Sequence, residues 1–161
     1  MSWPDSEAGG GRRETRWLTP RSLVESLGPF DLDPAGAPGH ELAARTYLPE
    51  RGEDGTALPW SGRVWLNPPY GPEARAFMAR MAIHGDGIAL LPARTETRMF
   101  RDCVWSFASG VLFVFGRLVF LDAAGTRARA NAGFGSALVA YSPADLAALR
   151  ASGIEGQVIE L

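Results

Sequence analysis

At 161 residues the chain has room for one domain, since typical domains hold about 100 to 150 residues, and 46% hydrophobic residues with 10% aromatics suffice to fill its core. No window nears the roughly 18 continuous apolar residues of a membrane span, and one cysteine with two histidines excludes a disulfide framework and a Cys/His zinc cluster. Taken whole, a net charge of −2 argues against a nucleic-acid partner, yet all 16 basic residues are Arg, the side chain best suited to forked phosphate and base contacts.

Residues 1–16 are polar, carry Gly9-Gly10-Gly11 and show no periodicity, so they read as a flexible lead-in to a single domain over residues 17–161. They also lack the apolar stretch of a signal peptide, which predicts a cytoplasmic protein. Leu23, Val24 and Leu27 form the apolar face of a two-turn helix, with Thr19 expected as its cap, Pro20 in its first turn and Gly28 at its end. Phe30-Asp31-Leu32-Asp33 alternates apolar and acidic residues and reads as a strand feeding the turn 34–39, which is rich in Gly and Pro. A modest helix is expected over 40–47 and irregular chain over 49–59.

Arg63-Val64-Trp65-Leu66 is a buried-strand candidate, stopped by Asn67-Pro68-Pro69-Tyr70 because two prolines remove two ladder donors. Gly71-Pro72 opens a helix in which Ala74, Phe77, Met78 and Met81 recur at helical spacing. Then come a strand over 87–91, a loop over 92–97, a helix over about 96–107, and two apolar runs, 111–115 and 117–121, split by a bend at Gly116. Residues 122–135 form a long Gly/Ala/Arg loop. A strand over 136–141 leads to a helix with Ser142 as cap, Pro143 in the first turn and Asp145 at the third position, and 157–161 is a last edge strand. This order predicts an α/β layer with a mostly parallel sheet, helices on both faces and a β-rich C-terminal part. Ligands of such sheets bind at the carboxyl ends of the strands, so Asp33 and Leu66 point at one site.

Asn67-Pro68-Pro69-Tyr70 carries the chemistry. At ordinary residue frequencies it should appear by chance in a chain this long roughly once in a thousand, so its position after a buried strand has meaning. The exocyclic nitrogen of adenine delocalises its lone pair into the ring and is a poor nucleophile. An Asn side-chain carbonyl and the following Pro carbonyl can each accept one of its N–H groups and free that lone pair. Two prolines hold those acceptors together without a competing backbone N–H, and the Tyr70 ring can stack on the base.

With these residues in view, the chain resembles the phage-type, Dam-like DNA N6-adenine methyltransferases, over roughly residues 16–142. The ordered series is Trp17-x-Thr19-Pro20, Phe30-Asp31-Leu32-Asp33-Pro34, Asp54-Gly55 before Trp60, Asn67-Pro68-Pro69-Tyr70, residues 90–97 with Phe100 downstream, 116–120, and 136–139. Met99 stands where such proteins frequently have an aromatic residue, which puts one wall of the pocket in question. The resemblance implies a Rossmann-like methyltransferase fold, S-adenosylmethionine as cofactor, double-stranded DNA as substrate with the target adenine flipped out, and no metal. It places Trp17, Thr19, Pro20, Asp31, Asp33, Pro34, Asp54 and Asn67 against the cofactor, with Asn67, Pro68, Pro69 and Tyr70 as the catalytic group. The turn after Asp33 is a poor copy of a Gly-x-Gly turn, and the ribose-binding acid is left among Glu41, Glu50 and Glu53.

Charge counted by position changes the first impression. Residues 1–93 hold nine Arg and twelve acids, residues 94–129 six Arg and three acids, and residues 130–161 one Arg and three acids. All of the positive surplus lies in the middle stretch, so Arg94, Thr95, Arg98, Arg117, Arg127, Arg129 and Asn131 are the candidate DNA contacts; for Arg117 a structural pairing with a sheet-end acid is the alternative. The tetrapeptide also serves RNA and protein-glutamine methyltransferases, and the degenerate turn would suit a DNA-binding module without turnover. Leu90 to Thr95 and Gly116-Arg117-Leu118 favour DNA. His40 and His84 are expected at the surface and Cys103 in the core.

Overall fold

The computed structural model describes residues 17–122, 124–127 and 134–161. Its helices are α1 (Arg21–Ser26), α2 (Glu73–His84), α3 (Arg98–Phe100, continued as a π-helical turn Arg101–Trp105) and α4 (Pro143–Ala151). Its strands are β1 (Leu32–Asp33), β2 (Arg45–Thr46), β3 (Val64–Leu66), β4 (Gly87–Pro92), β5 (Gly110–Val114), β6 (Ser136–Ala140) and β7 (Gly156–Glu160), in one sheet of order β2-β1-β3-β4-β6-β5-β7. Among the described residues, no helix is long and apolar enough to cross a membrane.

The sheet is mixed, which corrects the expectation of a mostly parallel one. The pairings of β1 with β2, β1 with β3 and β3 with β4 are parallel, whereas β4 with β6, β5 with β6 and β5 with β7 are antiparallel. A parallel neighbour needs a crossover, usually a helix. α2 supplies one between β3 and β4. No helix is described between β5 and β6, and β6 returns antiparallel, inserted between β4 and β5.

Side chains along the strands alternate between two cores. Val64, Leu66, Ala89, Leu91, Val111, Ala137 and Val139 join Phe77, Met78 and Met81 of α2 and Phe100 of α3. Trp65, Ile88, Leu90, Leu112, Leu138 and Ala140 join Val24 and Leu27, within and next to α1, and Leu146 and Leu149 of α4. Helices therefore cover both faces, and a fully buried side chain such as Met78 or Leu149 contributes about 2 kcal/mol of apolar burial.

The two ends of the sheet are fixed differently. At the amino ends of β3 and β4, buried Asp145 accepts from Arg63 Nε at 2.7 Å, from the Gly87 amide at 2.7 Å and from the Ser142 hydroxyl at 2.6 Å, while Ser142 caps α4 through the Asp145 amide. The expected cap is thus present, and it also ties α4 to two strands. Arg63, placed by sequence only in a strand, carries that tie.

One expected helix is absent. No helix forms over 40–47, because the amides of Ala44, Arg45 and Tyr47 donate to Phe30, Asp31 and Asp33 and build β2 beside β1. The bend expected at Gly116 is present (φ 71°); residues 117–121 lie outside the sheet beyond it, and Leu121 pairs with Leu18.

Candidate active site

β1 and β3 lie side by side and parallel, so their carboxyl ends deliver the Asp33 turn and the Asn67-Pro68-Pro69-Tyr70 segment to the same edge of the sheet. Between them opens a cavity of about 590 Å³, within the 300 to 1,000 Å³ or so of small-molecule sites. Asp33 is 3% exposed and one carboxylate oxygen accepts from the Ala35 amide at 3.0 Å. Burial outweighs that bond and pushes its pKa up to about 7. Its remaining acceptor positions are suited to a cation or an N–H or O–H donor from a ligand.

The turn after Asp33 is shaped by close approaches rather than by a Gly-x-Gly pattern. A Cβ on Gly36 would overlap Thr46 Cγ2, and one on Gly55 would overlap the Pro34 carbonyl oxygen. Gly55 therefore lets the 54–56 loop lie directly against the Pro34 turn. In that loop Asp54 accepts from the Thr56 amide at 2.8 Å and hydroxyl at 2.6 Å, bonds that hold its exposed carboxyl below the usual range.

Asn67 is oriented from the other side. Its Nδ2 donates to the Trp17 carbonyl at 3.2 Å and to Thr19 Oγ1 at 3.1 Å. A backbone carbonyl only accepts, so the amino end of the carboxamide must face Trp17, and Oδ1 is turned away from that segment as an available acceptor. Tyr70 is partly buried, which raises its phenol pKa. Its ring centroid is 5.8 Å from that of Phe134, tilted by 56°, and Arg94 Cζ stands 5.5 Å over the Phe134 ring. The contact follows from the β4–β6 ladder, which carries on as the Ala93 amide donates to the Gly135 carbonyl.

The cavity brings together Trp17, Thr19, Asp33, Pro34, Asp54, Asn67, Pro68, Pro69 and Tyr70 of the sequence candidates. Pro20 and Asp31 do not line it. Pro20 precedes α1 as its N-cap, and Asp31 Oδ2 accepts from the Arg63 amide. Thr19 does not cap α1, because the helix begins at Arg21 and Pro20 holds the N-cap position; the Thr19 hydroxyl accepts from Asn67 instead. Glu53 lines the cavity with its carboxylate turned to the Leu48 amide, while Glu41 lies outside it. Met99 packs against the core and not against the cavity. Arg94, Thr95, Arg98, Arg117 and Arg127 are exposed and outside the cavity, and Arg117 has no acidic partner among the described residues. Arg129 and Asn131 lie outside the described residues.

Two participants escape a reading by sequence. Phe134 is a lone aromatic between glycines in a long loop, and that isolation is its one local signal. His40, expected at the surface, is 8% exposed, lines the cavity and bonds through Nε2 to the Thr19 carbonyl at 2.8 Å. Cys103 is buried as expected, and His84 reaches the Gly62 carbonyl at 2.7 Å.

No curated protein and no solved structure matches this chain. A family model described as DNA N-6-adenine-methyltransferase (Dam) matches residues 11–148, a span that holds the cavity, the Asn67-Pro68-Pro69-Tyr70 segment and the basic stretch. The chain therefore belongs to the Dam family of DNA N-6-adenine methyltransferases.

Proposed function

We propose that this chain transfers a methyl group from S-adenosylmethionine to the exocyclic amino group of adenine in DNA, with the base turned out of the duplex. The observation that carries the reading is the enforced orientation of Asn67. Its donors are spent on Trp17 and Thr19, so Oδ1, together with the Pro68 carbonyl, offers acceptors and no donor to an amino group. Accepting both N–H groups draws the nitrogen toward a pyramidal geometry and frees its lone pair, an effect that strengthens as positive charge develops there.

The residues present suit the cofactor. Buried Asp33 stands in the cavity with acceptor capacity for an ammonium or hydroxyl donor, the Gly55 approach keeps the 54–56 loop against the Pro34 turn, and Asp54 stays ionised to accept an amino group. Bound there, S-adenosylmethionine supplies the electrophilic methyl group. Tyr70 and Phe134 present ring faces for stacking on the extruded base. Arg94, held over Phe134 and exposed, is placed for a phosphate. The amino nitrogen gives up its surplus proton to solvent after the new N–C bond has formed, when it is cationic and acidic, so no side chain must act as base beforehand. Arg98, Arg117, Arg127, Arg129 and Asn131 extend the DNA contact along the basic stretch.

Incubation of the purified chain with labelled S-adenosylmethionine and, in parallel, unmethylated DNA, RNA and protein tests this. Label is expected in DNA adenine; label confined to RNA or protein, or cofactor binding without transfer to any of them, overturns the reading.

A further inference from the structure

The Asn67 carboxamide is held by a segment that is itself held from two sides. Leu18 exchanges both backbone hydrogen bonds with Leu121 at 2.9 Å. On the other side the Thr19 carbonyl, in a residue only 1% exposed, accepts from His40 Nε2 at 2.8 Å. A carbonyl only accepts, so the His40 proton must sit on Nε2. His40 in turn closes the turn after Asp33, its amide donating to the Ala37 carbonyl at 3.2 Å. The series His40, Thr19, Asn67 thus joins the Asp33 turn to the acceptor that faces the target amino group, and every link is a hydrogen bond of 2.8 to 3.2 Å.

We infer that His40 is a positioning residue for methyl transfer: its Nε2–H fixes the Trp17-Leu18-Thr19 segment, and through it the direction of Asn67 Oδ1. The inference rests on the role given to Asn67 above. Without the His40 bond the buried Thr19 carbonyl loses its donor; Leu121 still pairs with Leu18 and Arg21 still donates to the Glu41 carbonyl at 2.6 Å, but nothing among the described residues then fixes Thr19 itself, and the two acceptors for Asn67 Nδ2 shift with it. A displacement of about 1 Å at a positioning group can lower a rate by about 100-fold.

Two variants separate the bond from the volume of the ring. His40→Gln places its amide nitrogen near the site of Nε2, whereas His40→Asn places it near that of Nδ1, short of Thr19. Both side chains are polar and smaller than His. With unmethylated genomic DNA at saturation, His40→Gln should keep kcat, and His40→Asn should lower it by about 10- to 100-fold, with cofactor affinity close to that of His40→Gln and a thermal midpoint lower by several degrees, the protein remaining fully folded at the assay temperature. Combined with Asn67→Ala, His40→Asn should cause no further loss. Equal kcat in both variants, an effect on cofactor affinity alone, or a full additional loss in the Asn67→Ala background overturns the inference. Should Asn67→Ala itself leave kcat unchanged, it is the reading of Asn67 that fails, a result distinct from the other three.

Discussion

Replacing Asp33 by asparagine removes a carboxylate that the fold buries at a cost, and the cost can be read from pH. An ordinary aspartate titrates near 3.8, but burial in the cavity wall moves Asp33 to about 7. Between those values the native chain holds a proton that the unfolded chain has lost, so stability falls as pH rises through this window. The contribution is fully present below pH 3.8 and absent above 7. The gap between the unfolded and folded values corresponds to about 4 kcal/mol, an upper bound because water entering the ligand-free cavity lowers it. Urea unfolding of wild type and Asp33→Asn at several pH values between 4 and 8 measures the effect. The other acids with shifted values, Asp54, Asp102 and Asp122, are lowered by their partners and titrate alike in both proteins. Asp33→Asn should therefore match wild type near pH 4 and exceed its stability by up to about 4 kcal/mol at pH 8. It should at the same time bind S-adenosylmethionine more weakly, since the acceptor for the ligand's donor is neutralised, and wild-type affinity should rise from pH 6 to pH 8 with release of a proton. A stability difference that does not change with pH would falsify the burial argument.

Other consequences follow from the same geometry. Asn67→Ala should reduce turnover by about 100-fold or more with S-adenosylmethionine affinity, measured by calorimetry, little altered; a purely structural Asn67 would instead leave turnover in proportion to folded protein. Tyr70→Ala should weaken productive binding of DNA by about 1 to 3 kcal/mol and Tyr70→Phe should not, while Phe134→Ala should show a loss of the same kind; steady-state KM for DNA distinguishes these outcomes. Arg94→Ala should weaken DNA binding evenly across sequences and lower the salt dependence of log K by about 1, and an unchanged slope in a salt titration removes Arg94 from the phosphate contacts.

Much of this arrangement is legible in the residue order because its signals are local. Two prolines after a β-branched and aromatic run announce where β3 stops and a loop begins, and Ser142-Pro143-Ala144-Asp145 announces α4 with its cap. What is not legible depends on partners far along the chain. The His40 to Tyr47 stretch has the composition of a helix, yet its amides are claimed by the carbonyls of 30–33. Thr19 has the form of a cap, but its hydroxyl serves Asn67, 48 positions away. The sense of β6 depends on the connection from β5, and neither strand encodes it. Phe134 acquires meaning only when the β4–β6 register brings it between Tyr70 and Arg94. Even the acidic half read from charge alone divides in space, since Asp33 faces the cavity while Asp31, two residues earlier on the same strand edge, is occupied by the Arg63 amide.

Nucleoside mass spectrometry reads the methylated product itself in DNA from cells that express either the wild-type chain or Asn67→Ala and otherwise lack adenine methylation. The orientation of Asn67 predicts N6-methyladenine with the wild type and its loss with Asn67→Ala at equal protein level. Methylation on cytosine, or N6-methyladenine at the same level in both, would contradict it.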